Sequence, residues 1–487
     1  MFQKLTKILF VCIFGYCLVS CSDWLDISPK TEIKAKDNFQ DEQGFKDALT
    51  GVYLLMTQQS LYGRELTFGF NDVMAQYYTG VYATSHSYYH AKSYNFTEAS
   101  CVSRINAIWL NMYNVIANLN ELIINIEDSD KALFTGRNYD LIKGEAYGLR
   151  AFLHFDLLRL FGKSYIVDSQ SKAIPWINTV SAMATPLSTV EEILNLALSD
   201  LQTAENSLLI DPVIATNESN DSFDSTYERD RCFKFNYYAV KLLQARIYLY
   251  KKDFQRATEA AEAVINQEVF YWTPLGEINN SDSRQRNSVF SEELVFTLYI
   301  SNLNEIYTSW FTGNYGLYML NENYDALYEL YSSGLDHDTR YEFQSANYDD
   351  VRFSTKLKQT AGITAYLYRM PIMRLSEAYY IAAESAINSG NTALAAKYLN
   401  TVRMARQIEI PLSETLSRED AENELYKEYA KEFFAEGQLF YFFKRLNYSL
   451  IPIRSANGQS ITVSYVVPSY VLPLPDDEIE YGGRNNE

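Results

Sequence analysis

Apolar residues recur at steps of three and four over Ile105, Ile108, Trp109, Met112, Val115, Ile116, Leu119, Leu122, Ile123 and Ile126. That spacing predicts a long helix with one buried face, and it places Trp109 in the core. "YDLIKGEAYGLRAFLHFDLLRLFG" at 139–162 predicts a second long helix that stops at Gly162 as a C′ glycine. A shorter helix is expected over "EQGFKDALTGVYLLM" at 42–56. Another is expected over 188–208, where Ser188 stands three residues before Glu191 in capping-box spacing. A further helix is read over 420–445. "ELVFTLYIS" at 293–301 alternates like a strand, and the chain from 464 is punctuated by proline and reads as extended.

Two stretches repeat one another. "LQARIYLYKKDFQRATEAAEAVIN" from 243 and "YIAAESAINSGNTALAAKYLNTVR" at 380–403 align with Ala245 on Ala383, Asp253 on Asn391 and Ala257 on Ala395. Each reads as a helix, a tight turn at the Asp or Asn, and a second helix with a small residue at the crossing. This is the pattern of tetratricopeptide-type helix pairs, whose small residues let paired helices approach closely.

Between the helical stretches lie two irregular, aromatic excursions at about 67–96 and 302–323. Long loops in a folded domain often carry function. Composition sharpens the point: the chain has 40 Tyr, 27 Phe and 5 Trp, or 15% aromatic residues. A tyrosine ring is apolar with a polar tip, so it serves cores and binding surfaces alike. The segment 211–232 is polar and acidic and reads as a surface loop.

The N-terminus raises a separate question. An apolar run, "ILFVCIFGYCLV" at 8–19, follows Lys4 and Lys7 and stops at Cys21. It is shorter than the roughly 20 residues a spanning helix needs, and it has the layout of a secretory signal. Leu18-Val19-Ser20-Cys21 resembles the lipobox of bacterial lipoproteins, in which the cysteine becomes the lipidated first residue. An ordinary signal with an incidental cysteine is the alternative. The formal charge is −19, and loss of Lys4 and Lys7 takes it to about −21. Such a chain repels nucleic-acid phosphates and anionic headgroups, so membrane attachment falls to acyl chains. Ser22 rather than Asp follows the cysteine, which removes the usual inner-membrane retention signal and favours the outer membrane. Cys101 and Cys232 remain in the mature chain and are expected as free thiols.

Several segments in order resemble the SusD/RagB family of outer-membrane nutrient-binding lipoproteins. They are "CSDWLDISPKTEI", "IWLNMYNVIANLNELI", "GEAYGLRAFLHFDLLRLFG", "MRLSEAYYIAAESAINSG", "EYAKEFFAEGQLFYFFKR" and "YVLPLPDDEI". Departures mark a divergent branch: Tyr429 replaces a basic residue, Leu439 and Phe442 stand where many members carry Arg and Asp, and Gly482-Gly483-Arg484 replaces an Asn-Pro-rich ending. The resemblance implies a mostly α fold in which tetratricopeptide-like helix pairs support an irregular ligand-binding part with a few short strands. The expected division is a signal peptide over 1–20, a tether over 21–42 and one helical domain over 43–487. It also implies a surface-exposed, non-catalytic protein that captures oligosaccharide, or in some branches peptide, for a TonB-dependent transporter.

Sugars are held by flat apolar rings beside amide or carboxylate partners. On that chemistry the ligand-binding candidates are Asp72, Tyr77, Tyr78, Tyr82, Trp310 and Tyr315, with Cys21 as the lipid site. No cofactor and no metal are expected. His86 and His90 would share a side only on a helix, and a third ligand is not evident. His154 reads as a core histidine. Glu428, Glu432 and Glu436 form a row at intervals of four that needs cations, with Lys431, Lys444, Arg374 and Arg150 as candidates, and is read as structural. Two rival functions stand beside capture. A surface glycoside hydrolase would need two carboxylates about 5–10 Å apart. A protein-only assembly scaffold would bind neither glycan nor peptide.

Overall fold

The structure is a computed structural model and describes residues 38–181, 183–214, 226–313, 316–330, 337–359, 366–453 and 463–484. The signal segment, Cys21, most of the tether, the middle of 211–232 and Tyr315 lie outside the described residues.

Local sequence decides the helices. α1 (Glu42–Met56) begins where the Asp41 side chain accepts from the backbone N–H of Gly44. α2 (Phe70–Met74) and α3 (Tyr89–Lys92) are single turns within the first excursion. α4 (Ala99–Glu127) buries every residue of the stripe that predicted it. Trp109 packs edge-on against Phe161 at 4.8 Å. α5 (Asn138–Phe161) is buried along nearly its whole length and ends at Gly162. That glycine has φ −93°, outside the left-handed region. Space is what requires it, because a Cβ would stand 2.7 Å from Cδ1 of Leu158 and 3.0 Å from Cβ of Ala173. α6 (Tyr165–Asp168) follows, then α7 (Val190–Ser207). The capping box of α7 is Thr189 with Glu192, one residue later than the sequence suggests. The helix starts at Val190, so Thr189 is its N-cap, and Ser188 lies one residue back in strand β2 (Leu187–Thr189), which runs antiparallel to β1 (Lys172–Pro175).

The repeated stretches form two helix hairpins. α8 (Tyr237–Tyr250) and α9 (Phe254–Ile265) make the first. Short α10 (Leu275–Ile278), α11 (Leu303–Trp310), α12 (Asn321–Leu327) and α13 (Thr339–Phe343) intervene before α14 (Leu375–Asn388) and α15 (Thr392–Ala405) make the second. Asp253 and Asn391 cap the second helix of each pair, accepting from the N–H of Arg256 and Leu394. Their backbones nearly coincide, at φ −87°, ψ 76° and φ −104°, ψ 72°. Ala245, Ala257, Ala383 and Ala395 are all fully buried, and α9 packs on α14, so the hairpins stack. Strand β3 (Leu294–Tyr299) pairs antiparallel with β7 (Arg369–Arg374) beside them. A second sheet has the order β4 (Tyr318–Leu320), β6 (Val351–Ser354), β5 (Ser345–Tyr348), all antiparallel. Near the C-terminus β8 (Leu450–Ile453) pairs with β9 (Val463–Val466), and a final turn of helix, α18 (Asp476–Tyr481), interrupts the extended tail.

The helix read over 420–445 is two helices, α16 (Arg418–Glu432) and α17 (Gln438–Arg445). Between them Ala435 and Gly437 have φ of 65° and 76°. A Cβ at Gly437 would lie 2.4 Å from the carbonyl of Leu66, so only glycine lets the first excursion approach here. At this break the acidic row is neutralised. Arg340 reaches Glu428 at 2.9 Å and Glu432 at 3.0 Å. Arg406 bridges Glu432 and Glu293, while Arg403 pairs with Glu428. Arg374 and Lys356 share Glu436. Of the expected cations, Arg374 and Lys431 take part. Arg150 instead pairs with Asp200, and Lys444 donates to the carbonyl of Leu160. The divergent Tyr429 and Phe442 stack beside this network at 4.8 Å. Cys101 and Cys232 are free.

Burial alone would raise Glu428, but Arg340, Lys431 and Arg403 outweigh it and hold the carboxyl at about 2. Glu432 is held well below its ordinary value by Arg406 and Arg340 against the same burial. An unfolded glutamate titrates near ~4.3. The network's stabilisation is therefore complete above about pH 5 and is lost as pH falls toward about 2. Arg406→Ala, which strands buried Glu293 and removes one of the three arginines around Glu432, is expected to cost about 3–5 kcal/mol in urea unfolding at pH 7.

Candidate functional site

The two aromatic excursions, remote in sequence, meet in space. The first is seated on the break between α16 and α17. Asp72 on α2 is fully buried, and its Oδ1 accepts from the N–H of Gly437 at 2.9 Å. Neighbouring Asn71 donates to the carbonyl of Leu66 at 3.2 Å. Tyr77 donates to the carbonyl of Ala430 at 2.7 Å, and its ring stands edge-on to Phe434 at 5.2 Å. Tyr78, 1% exposed, packs on the same Phe434 at 5.8 Å. These three expected ligand contacts are thus interior: Asp72 and Tyr78 offer no face to solvent, and Tyr77 only an edge. The aromatic rings of this excursion are consumed in docking it to the helices.

Past Tyr78 the chain turns outward. Gly80 donates to the carbonyl of Tyr318 at 3.2 Å, and the N–H of Leu320 donates to Oγ1 of Thr79 at 2.6 Å. A Cβ at Gly80 would fall 2.6 Å from the Tyr318 ring, so glycine permits the contact. Tyr82 then projects into solvent, 71% exposed, as a neighbour of Tyr318. Burial raises the Tyr318 phenol and the Tyr82 neighbour adds to it.

From Tyr318 the aromatic surface continues across the three-stranded sheet. Tyr318 lies opposite Phe353, and Leu320 opposite Val351, which in turn faces Tyr348. Strand alternation puts these side chains on one face. Ring centroids step 5.7 Å from Tyr318 to Phe353 and 5.9 Å from Phe353 to Tyr348. Phe353 is the buried floor, while Tyr348 is 60% exposed. Trp310 sits apart from this row. It is half-buried, with Tyr88 on one side at 5.4 Å and the Arg64 guanidinium at 4.8 Å. Arg64 and Arg104 are both paired with the buried Glu65.

Behind β4 a cleft with about 420 Å³ of free space, its open mouth included, is lined from both excursions. Gln76, Tyr77 and Thr79 come from the first, Met319 and Asn323 from the second, and Tyr426 and Leu439 from the helices. Of the expected set, the structure therefore leaves Tyr82 and part of Trp310 on the surface. Sequence reading passed over Tyr348 and the floor beneath it. The alternation in "SANYDDVRFS", with Asp349-Asp350 as its turn, was the available signal. Among the described residues no group of three His, Cys, Asp or Glu side chains could hold a metal ion, and no helix is long and apolar enough to cross a membrane. His154 is a core residue, stacked on Trp176 at 4.0 Å.

Burial drives the Asp72 carboxyl well above its ordinary value, against the Gly437 N–H and Lys356, which favour its charge. An acid raised on folding weakens the fold as pH climbs past its unfolded value of about 4. Asp72→Asn keeps an acceptor for Gly437, so its melting temperature should gain on wild type progressively between pH 4 and pH 7.

Residues 23–249 match a family model described as "Starch-binding associating with outer membrane" and residues 269–480 match one described as "SusD family". The chain is 28% identical over 275 residues to SusD-like protein P2 of Formosa agariphila, covering 55% of this chain and 47% of that protein. It is 20% identical over 301 residues to SusD-like protein P25 of the same organism, covering 61% and 52%. The matches thus span about half the length of these curated relatives. Among solved structures, a SusD superfamily protein from Bacteroides thetaiotaomicron superposes with a TM-score of 0.73 at 23% identity, covering 91% of this chain and 98% of that one. A SusD-like carbohydrate binding protein from Bacteroides vulgatus gives 0.69 at 19% identity, covering 91% and 97%. Two successive family matches that leave little of the described chain uncovered, together with a shared fold, lead to one conclusion: this chain belongs to the SusD/RagB family.

Proposed function

We propose that this protein is a non-catalytic, lipid-anchored capture protein. It would hold an extended oligosaccharide at the outer-membrane surface and pass it to a TonB-dependent transporter. The observation that carries this reading is the exposed aromatic face of Tyr82, Tyr318 and Tyr348, laid on a sheet and braced by the helices. Flat rings on a rigid support stack on sugar faces with little side-chain freedom to lose. Trp310 is proposed as a second, separate contact and Tyr315 as a ligand contact on its sequence alone, while Asp72, Tyr77 and Tyr78 serve to position the face. Solved relatives described as carbohydrate-binding favour glycan over the alternative of a peptide ligand.

Catalysis is disfavoured by the state of the carboxylates. A glycosidase needs a protonated acid facing the substrate. Glu428 and Glu432 are held ionised by arginines, and Asp72, whose carboxyl is raised, is sealed in the core. The anchor is assigned to Cys21, since the acidic chain has no other evident means of holding an anionic membrane. Two or more acyl chains suffice for stable attachment. Tethering near the transporter raises the effective concentration of captured ligand at its mouth.

Soluble protein beginning at residue 22 should bind an oligosaccharide in a calorimetric screen of glycans and peptides. Tyr82→Ala should weaken that binding about tenfold, or ~1.4 kcal/mol, with an unchanged melting temperature. Binding of peptides alone would move the assignment to the peptide branch, and turnover of any bound glycan by pure protein would overturn it. In cells, Cys21→Ser should shift the protein from the membrane to the soluble fraction.

A further inference from the structure

The chain carries 61 acidic and 42 basic side chains, yet one cleft is lined only by cations and neutral groups. Arg284, Arg286, Lys356 and Lys358 surround it together with Ser288 and Tyr366, around about 410 Å³ of free space. None of its described lining residues is acidic. Two of the four cations are already answered. Arg284 pairs with Asp282 at 2.6 Å, and Lys356 pairs with Glu436 at 2.8 Å. Arg286 and Lys358 make no ion pair among the described residues.

Arg286 is also held in place. Its Nε donates to the carbonyl of Asn280 at 2.9 Å, and its guanidinium lies over the Phe343 ring at 5.1 Å. Those two contacts fix the plane and leave the paired Nη groups for a ligand, the arrangement that takes a carboxylate or sulfate in two parallel hydrogen bonds. Lys358 is exposed and adds a point charge at the rim. With Arg284 and Lys356 paired, the excess charge of the cleft rests on Arg286 and Lys358, and a fixed guanidinium without a carboxylate suits an anionic partner.

The cleft lies next to the aromatic face along the chain. Phe343 stands two residues before β5, and Lys356 and Lys358 follow β6. Lys358 is five residues beyond Phe353, at most about 18 Å of extended backbone. That separation is within the length of a linear oligomer of several sugar units.

The geometry points to an acidic glycan as the captured class, with an oxyanion, either a uronate carboxylate or a sulfate ester, seated between Arg286 and Lys358. This rests on the capture reading above. The test is calorimetry on soluble protein from residue 22, using an oligogalacturonate, a sulfated galactan oligosaccharide and neutral oligosaccharides of matched length. At least one anionic oligomer should bind about tenfold tighter than its neutral counterpart, and which one does so identifies the oxyanion. Raising salt from 50 to 500 mM should erase that advantage. Arg286→Gln and, separately, Lys358→Gln should each lose the preference while binding neutral oligomers as wild type does. Lys358 is exposed, so its variant tests the site without disturbing the fold. If neutral glycans bind and the anionic ones gain nothing, or if both variants keep the preference, the oxyanion site is overturned and capture stands. If no glycan binds, the capture reading falls and this inference falls with it.

Discussion

The carboxylate of Glu432 lies among the guanidinium groups of Arg340, Arg374 and Arg406, and the placement of the irregular part on the helices depends on that cluster. A buried carboxylate costs several kcal/mol in lost hydration unless cations and donors surround it. Here each cation arrives from a different segment. Arg340 comes from the helical turn before the small sheet, Arg374 from the end of β7, and Arg406 from just beyond the second helix hairpin. Arg406 also grips Glu293 at the start of β3. Each segment brings charge that only the others answer in full, so the cluster favours one arrangement of all of them.

That arrangement fixes the break between α16 and α17, and the break in turn positions the first excursion. Gly437 admits the backbone of Leu66 and Thr67, Asp72 accepts from its N–H, and Tyr77 bonds the carbonyl of Ala430 on α16. Tyr328, from the second excursion's side, donates to the carbonyl of Lys431 on the same helix. Both excursions are therefore referenced to one helix end, and Thr79 and Gly80 meet β4 in a defined register. A binding face built this way is as rigid as its scaffold, the condition under which ring stacking contributes most.

Charge is distributed with the same economy. The buried arginines of the core are taken up by buried acids, whereas Arg286 and Lys358 of the cationic cleft make no ion pair among the described residues. A strongly acidic chain that keeps a fixed guanidinium free of carboxylates keeps it against the prevailing field. The cleft's two lysines follow β6 in the chain, outside the sheet that carries the aromatic face.

The sequence by itself determined the helices, because their signals are local. The stripe from Ile105 to Ile126 and the matched alanines encode faces that stay buried in any plausible packing, and Asp253 and Asn391 cap their helices through bonds to residues three positions on. Motifs in order were enough to indicate the family. Tertiary structure decided what each tyrosine does. Tyr77, Tyr78 and Tyr82 look alike in sequence, yet two pack on Phe434, more than 350 residues away, and one stands in solvent. The same holds for the acidic row: Arg374 and Lys431 pair with it as expected, but Arg340, Arg403 and Arg406 join them and Arg150 does not. An amphipathic ring or a charge can be satisfied by water or by protein, and only the partner brought from a distant part of the chain settles which.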